Sequence, residues 1–304
     1  MHRPPVDPLK PIRVNQSPFC LLLPDTVLVA DTLIDASMDS PQTQTALVAW
    51  QQGLLPEEQA HIARAVSKRR EEFTAGRNCA RALMRRLDLP LQAVLTGQQR
   101  EPLFPAELIG TISHTELKHS GNDIIKRYCA CAINQQIRSS QQANLLSIGI
   151  DTEANQPLQT STLSMISSHH ERTQLTTLPK TLSMAATPDA ANTAYIAAPH
   201  WETVLFSAKE SFYKAYFPIM QQYLDFLDAE ITLSPPDPSS SALIGEFSIQ
   251  IINPTKLATV AQTQRTANAS RLSATQLAQL HTQAHVGYFT WDSDFLYTAI
   301  VLEQ

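Results

Sequence analysis

The chain of 304 residues is 43% hydrophobic and 17% charged, proportions that build a folded core and exclude a disordered protein. A net charge of −5 excludes a general nucleic-acid binder, so any cationic site must be local. No apolar run approaches the ~18 residues needed to cross a bilayer, and Cys20, Cys79, Cys129 and Cys131 do not make a disulfide framework in so long a chain.

In chain order, "MHRPPVDPLKPIRV" is broken by prolines and lacks the apolar centre of a secretion signal, so the expected location is the cytoplasm. "FCLLLPD" and "TVLVADTLI" are short apolar runs and predict strands. From Pro56 to Leu87 the pattern is helical. "PEEQAHIARAV" opens with Pro and two acids, and Ile62, Val66, Phe73, Cys79, Leu83 and Leu87 recur at helix-like spacing. The phase slips near Gly76, which leaves one helix or two, and Leu89, just before a proline, ends the region. Strands are predicted for "LIGTISHT", "RYCACAI" and "LLSIGID", with the polar loop "NQQIRSSQQAN" between the last two. Cys129 and Cys131 alternate, share a strand face, and read as reduced, packed thiols.

From Ala154 to His200 the chain is rich in Ser, Thr, Gln and Ala, with "MISSHHERTQL" its one clear helical segment; it reads as an insertion or a mobile region. "LFSAKESFYKAYF" predicts a helix, "SPPDPSSS" a loop, and "EFSIQII" and "HVGYFTWDSDFLYTAIVLE" strands, with "DSD" as a turn. The implied class is α+β: two similar α/β lobes, 1–148 and 149–304, in a pseudo-twofold arrangement with a ligand cleft between them.

Two stretches carry chemistry. In "SIGIDTE", Asp151 and Glu153 stand two apart on a strand, so both project from one face with Thr152 opposite. Neighbouring carboxylates raise each other's pKa unless a cation sits between them, and such oxygens suit Mg²⁺. Taken alone, two solvated acids at a strand end explain the pair better. In the helix, Trp201, Leu205, Ala208, Phe212 and Ala215 form an apolar stripe. Glu210 lies about 200° round from Ala208 at ~100° per residue, with Lys214 one turn beyond it. Phe206, Tyr213 and Phe217 flank these charges. An ordinary surface Glu–Lys pair explains the charges but not their aromatic surroundings. Three carboxylates with nearby lysines match a metal-bound phosphate substrate.

"GIDTE" followed by "FSAKESFYKA" resembles the paired signature of 4′-phosphopantetheinyl transferases, and "KRREEFTAGRNCARALM" and "GQQREPLFPAELIGTISHT" precede it in the family's order. The likeness is nearest to the subgroup serving siderophore synthetases of the enterobactin type. The resemblance implies transfer of the phosphopantetheine arm of coenzyme A to a serine of an apo acyl or peptidyl carrier protein, releasing adenosine 3′,5′-bisphosphate, by a monomer. It implies that Asp151, Glu153 and Glu210 hold Mg²⁺, that Glu210 takes the serine proton, and that Lys214, with Lys209 beside Glu210, meets phosphate oxygens. It places further coenzyme A contacts on His114 with Ser113 beside it, on the basic cluster Lys68, Arg69, Arg70 and Arg77, and more weakly on Arg100. Departures are Thr152 between the acids, "LFP" where tryptophan often precedes the proline, "GTISH", and the tract from Ala154 to His200. His169–His170 and His281/His285 lack the cysteine or acid partners of a zinc site.

Two rivals remain at this stage: a Mg²⁺-dependent phosphoesterase or nuclease, and a coenzyme A-binding module without catalysis. The first needs a broad cationic path that the charge of −5 argues against. The second predicts loss of a metal acid, and all three acids are present.

Overall fold

A computed structural model describes residues 11–35, 41–118, 125–136, 145–185, 193–252 and 273–303. Its contacts divide the chain into two compact units at Ile137/Arg138, with Leu21–Leu23 grouped with the second. A boundary between 148 and 149 would cut a strand that pairs along its whole length with one partner, so the division falls earlier. The polar loop expected before that strand lies, beyond Gln136, outside the described residues. No helix among the described residues is long and apolar enough to cross a membrane.

The first unit contains β1 (Arg13–Val14), β2 (Leu28–Asp35), α1 (Pro41–Gln52), α2 (Pro56–Ile62), α3 (Ser67–Arg86), β3 (Leu95–Thr96), β4 (Pro102–Leu103), β5 (Leu108–Lys118) and β6 (Ile125–Gln135). Its main sheet has the order β1-β2-β6-β5, antiparallel throughout. "FCLLLPD" departs from expectation. Ser17 accepts from the backbone N–H groups of Phe19 and Cys20 and winds Pro18–Leu21 into a 3₁₀ turn, so no strand forms there. The helical region does split in two, but not at Gly76. The break spans residues 63–66, where Arg70 Nη2 donates to Ala63 O at 2.9 Å. Gly76 lies inside α3, where a Cβ would stand 2.8 Å from Ile112 Cγ2 of β5. The slip in phase therefore marks a close approach to the sheet rather than a helix end. Cys129 and Cys131 are free and buried, as the packed-thiol reading expects, and Cys79 is free and buried as well.

The second unit contains β7 (Leu145–Ala154), α4 (Thr160–Ile166), α5 (His169–Thr177), β8 (Thr181–Ala185), β9 (Thr193–Ala197), α6 (Trp201–Met220), β10 (Ala229–Ser234), β11 (Gly245–Ile251), α7 (Ala274–Thr282), β12 (His285–Trp291) and β13 (Phe295–Glu303). Its antiparallel sheet runs β10-β11-β12-β13-β7. The predicted stripe of α6 is buried in one core with Phe247, Ile249, Phe289 and Leu296. The polar tract folds as two short helices and a hairpin. Ser168 and Glu171 form a capping box that starts α5. One turn apart, Glu171 Oε1 accepts from Ile231 N (2.8 Å) and Gln174 Oε1 from Leu233 N (2.6 Å). Polar residues here saturate the open edge of β10, which composition alone does not reveal.

Gly149 decides how closely α6 lies on the sheet. A Cβ built there would stand 1.8 Å from Ser211 O and 2.9 Å from Ala215 N, both backbone atoms that cannot turn aside. Gly149→Ala is expected to lower unfolding free energy by about 3 kcal/mol or more, read by denaturant titration. A change within about 0.5 kcal/mol would refute the close contact.

α7 is seated by buried Leu280 and His281. Tyr216 Oη and His281 Nε2 are 3.1 Å apart, and His285 Nε2 lies 3.0 Å from Leu280 O. Burial lowers the pKa of both histidines, and for His281 the neighbouring His285 adds to the effect. The unfolded chain therefore binds more protons as pH falls through the ordinary histidine value of about 6.5. Stability should be full above that pH and decline below it, down through the folded pKa values. His281→Gln should flatten this decline in thermal unfolding, and an unaltered slope would assign it to other groups.

Candidate active site

Asp151 projects from β7, the outer strand of its sheet, and is buried with both oxygens held. Ser207 Oγ of α6 donates to Oδ2 at 2.7 Å. Lys214 Nζ, two turns further along α6, donates to Oδ1 at 2.6 Å. Glu210 lies between these two helix residues, and Glu153 follows Asp151 on β7. Burial lowers the pKa of Lys214, yet Asp151, Glu210 and Glu153 outweigh it and raise the value overall. The Glu210 carboxyl is pushed up by burial, against the pull of Lys214, with Asp151 adding to the rise. Asp151 thus holds the Lys214 ammonium directly, and Glu210 and Glu153 add negative charge to its surroundings. Among the described residues, no three His, Cys, Asp or Glu side chains stand close enough as placed to hold a metal ion. Beside Glu210 lies a partly open hollow of about 100 Å³, lined by Tyr213, Tyr223, Leu224 and Phe226 together with Lys209 and Asp225.

In the first unit, Lys68 and Arg69 open α3 and meet β5. Lys68 Nζ is 3.1 Å from Glu116 Oε1, and Arg69 Nη1 is 3.4 Å from His114 Nε2. Glu72 lies 3.8 Å from both Arg69 and His114. Burial would raise the Glu116 carboxyl, but hydrogen bonds from Arg127, Lys68 and Lys118 bring it down to about 2. The Lys68 and Arg69 side chains stay 49% and 38% exposed, so both can still meet an anion. Arg70 turns away to Ala63, Ser113 is buried, and Arg100 stands in a separate exposed turn at φ 70°.

Residues 57–118 match the family described as 4′-phosphopantetheinyl transferase N-terminal domain, and residues 147–277 match the 4′-phosphopantetheinyl transferase superfamily. The chain is 36% identical over 200 residues to 4′-phosphopantetheinyl transferase Svp of Streptomyces mobaraensis, covering 66% of this chain and 67% of that one. It is 33% identical over 198 residues to PptT of Mycobacterium tuberculosis, covering 65% and 72%, and 30% identical over 199 residues to Npt of Nocardia iowensis, covering 66% and 75%. The chain belongs to the 4′-phosphopantetheinyl transferase superfamily. Its activity is 4′-phosphopantetheinyl transfer to carrier proteins.

Two residues expected to bind coenzyme A in this transferase are engaged elsewhere. Lys209 Nζ is buried against Glu171 Oε1 (2.9 Å) and donates to the carbonyls of Ile166 (2.9 Å), Phe226 (2.7 Å) and Ala229 (3.0 Å). Those acceptors use up an ammonium's three protons. Its place in the helix sequence turns it from Glu210 by ~100°, into the body of the unit. Arg77 donates to Val94 O (2.9 Å), Leu95 O (3.2 Å) and Thr96 Oγ1 (3.1 Å), and its guanidinium lies 3.9 Å from the centre of the Phe73 ring. Burial lowers its pKa to about 10. Arg77 braces β3 on α3.

Sequence reasoning missed Ser207 and Glu171. Ser207, Glu210 and Lys214 form a polar stripe at helical spacing, and Ser168-His-His-Glu171 is a capping-box pattern, so both signals were present. Lys209→Met leaves the buried Glu171 carboxylate without its cation and should cost about 3–5 kcal/mol of stability. The folded enzyme should keep its KM for coenzyme A. Normal stability with a raised KM would return Lys209 to the phosphate.

Proposed function

We propose that the site on β7 and α6 transfers the phosphopantetheine arm of coenzyme A to a serine of an apo acyl or peptidyl carrier protein, with Mg²⁺ held by Asp151, Glu153 and Glu210. The buried Asp151 carboxylate, held between Ser207 and Lys214 of α6 with Glu210 and Glu153 adding negative charge nearby, carries the reading. One ammonium leaves the cluster short of positive charge, and hard oxygen donors suit Mg²⁺ in both chemistry and charge. When bound, the ion supplies charge stabilisation for the coenzyme's diphosphate.

The chain's own residues do the rest. Glu210, whose pKa is raised by burial, accepts the proton of the attacking serine hydroxyl. The serine oxygen bonds to the phosphorus that carries the pantetheine arm, and the bond from that phosphorus to the nucleotide's bridging oxygen breaks. The electron pair leaves on adenosine 3′,5′-bisphosphate. Lys214 exchanges Asp151 for phosphate oxygen and offsets the charge that develops there. The hollow beside Glu210, with its tyrosine, leucine and phenylalanine walls and the polar Asp225, suits the mixed methylene and amide character of the pantetheine chain. Lys68, Arg69 and His114 serve the phosphates of the nucleotide end. The likeness to the siderophore-synthetase subgroup makes such a carrier one candidate partner beside polyketide and fatty-acid carriers.

Incubation with coenzyme A, Mg²⁺ and apo carriers, read by intact mass, should show the carrier gaining one phosphopantetheine. Glu210→Gln should slow transfer about 10²–10⁴-fold with the fold intact, and Lys214→Ala about 10²-fold. Normal turnover in Glu210→Gln would remove Glu210 from the reaction.

A further inference from the structure

Thr298 lies outside both family-matched segments, 57–118 and 147–277. It stands directly across from Asp151 in the β7–β13 register, so the two side chains share a sheet face. Its hydroxyl donates to Ser207 O at 3.0 Å and lies 2.9 Å from Ser207 Oγ. Both threonine and serine are fully buried. Because Ser207 gives its single hydrogen to Asp151 Oδ2, the Thr298 hydrogen is the one directed back at Ser207.

We propose that Thr298 is a positioning residue for the metal acid Asp151, acting through Ser207. A serine inside a helix ordinarily turns its hydroxyl to the carbonyl four residues earlier, here Thr203 O. Thr298 donates to Ser207 O and so holds this residue against the sheet, where the serine hydrogen reaches Asp151. Oδ2 is thereby fixed by a neutral donor, while Oδ1 accepts from Lys214, a cation that a metal ion can replace. The carboxylate keeps one orientation in both states.

The inference rests on the metal-site reading above, and the experiment separates the two. The full-length protein is titrated with Mn²⁺ in the presence of coenzyme A and followed by electron paramagnetic resonance. Transfer is measured in parallel against Mg²⁺. Thr298→Val, which keeps shape and loses the hydroxyl, should weaken Mn²⁺ binding and raise the half-saturating Mg²⁺ by about tenfold, while kcat at saturating Mg²⁺ stays within about threefold. Thr298→Ser should restore both values, a rescue that a packing role would not give. Ser207→Ala should reproduce the metal shift if Thr298→Val fails to fold. Unchanged metal affinity in Thr298→Val, or no rescue by serine, overturns the proposal. Asp151→Asn serves as the control. If it abolishes Mn²⁺ binding while Thr298→Val does not move it, only this inference falls; if it leaves Mn²⁺ binding intact, the metal-site reading falls as well.

Discussion

The site depends on the contact between a glycine and a helix backbone. Gly149 lets α6 lie against β7 with no side chain between them. Only at that separation do Ser207 and Lys214 reach the two oxygens of Asp151, two residues along the strand. A methyl group at residue 149 would lift the helix by more than either hydrogen bond tolerates. Packing and chemistry are thus set by the same atoms.

The helix then separates its lysines by direction. Lys214 faces the carboxylates and remains charged among them. Lys209, five residues earlier, is buried against Glu171 and ties α6 to α5 and β10. A buried ion pair of this kind adds little net stability, but it fixes geometry because breaking it is costly. Here the geometry it fixes is the placement of the neighbouring Glu210. Arg77 plays a comparable part in the first unit, where its Nε and Nη2 donate to Val94, Leu95 and Thr96 at the start of a short ribbon.

Much of this was legible in the sequence. Alternating apolar residues marked β5, β6, β7 and the final hairpin, and the α6 stripe marked its buried face. The spacing of Asp151 and Glu153 put them on one face, and Glu210 and Lys214 on one side of a helix. The differences between sequence and structure share a cause: a charged or polar residue was judged by its type rather than by its partner. Lys209 and Arg77 looked free to bind phosphate. The segment around Glu171 and Gln174 read as a helix within an insertion or mobile region, and nothing in it showed that those side chains cap a strand edge.

By itself the sequence determined the elements, the order of the motifs and the set of acids and bases. Those follow from local periodicity and from residue chemistry, which short windows contain. Tertiary structure alone decided which of the charged groups meet one another. Glu171 reaches Lys209 across 38 residues and Ser207 reaches Asp151 across 56. Such pairings depend on how closely two surfaces pack, and no local pattern records that distance.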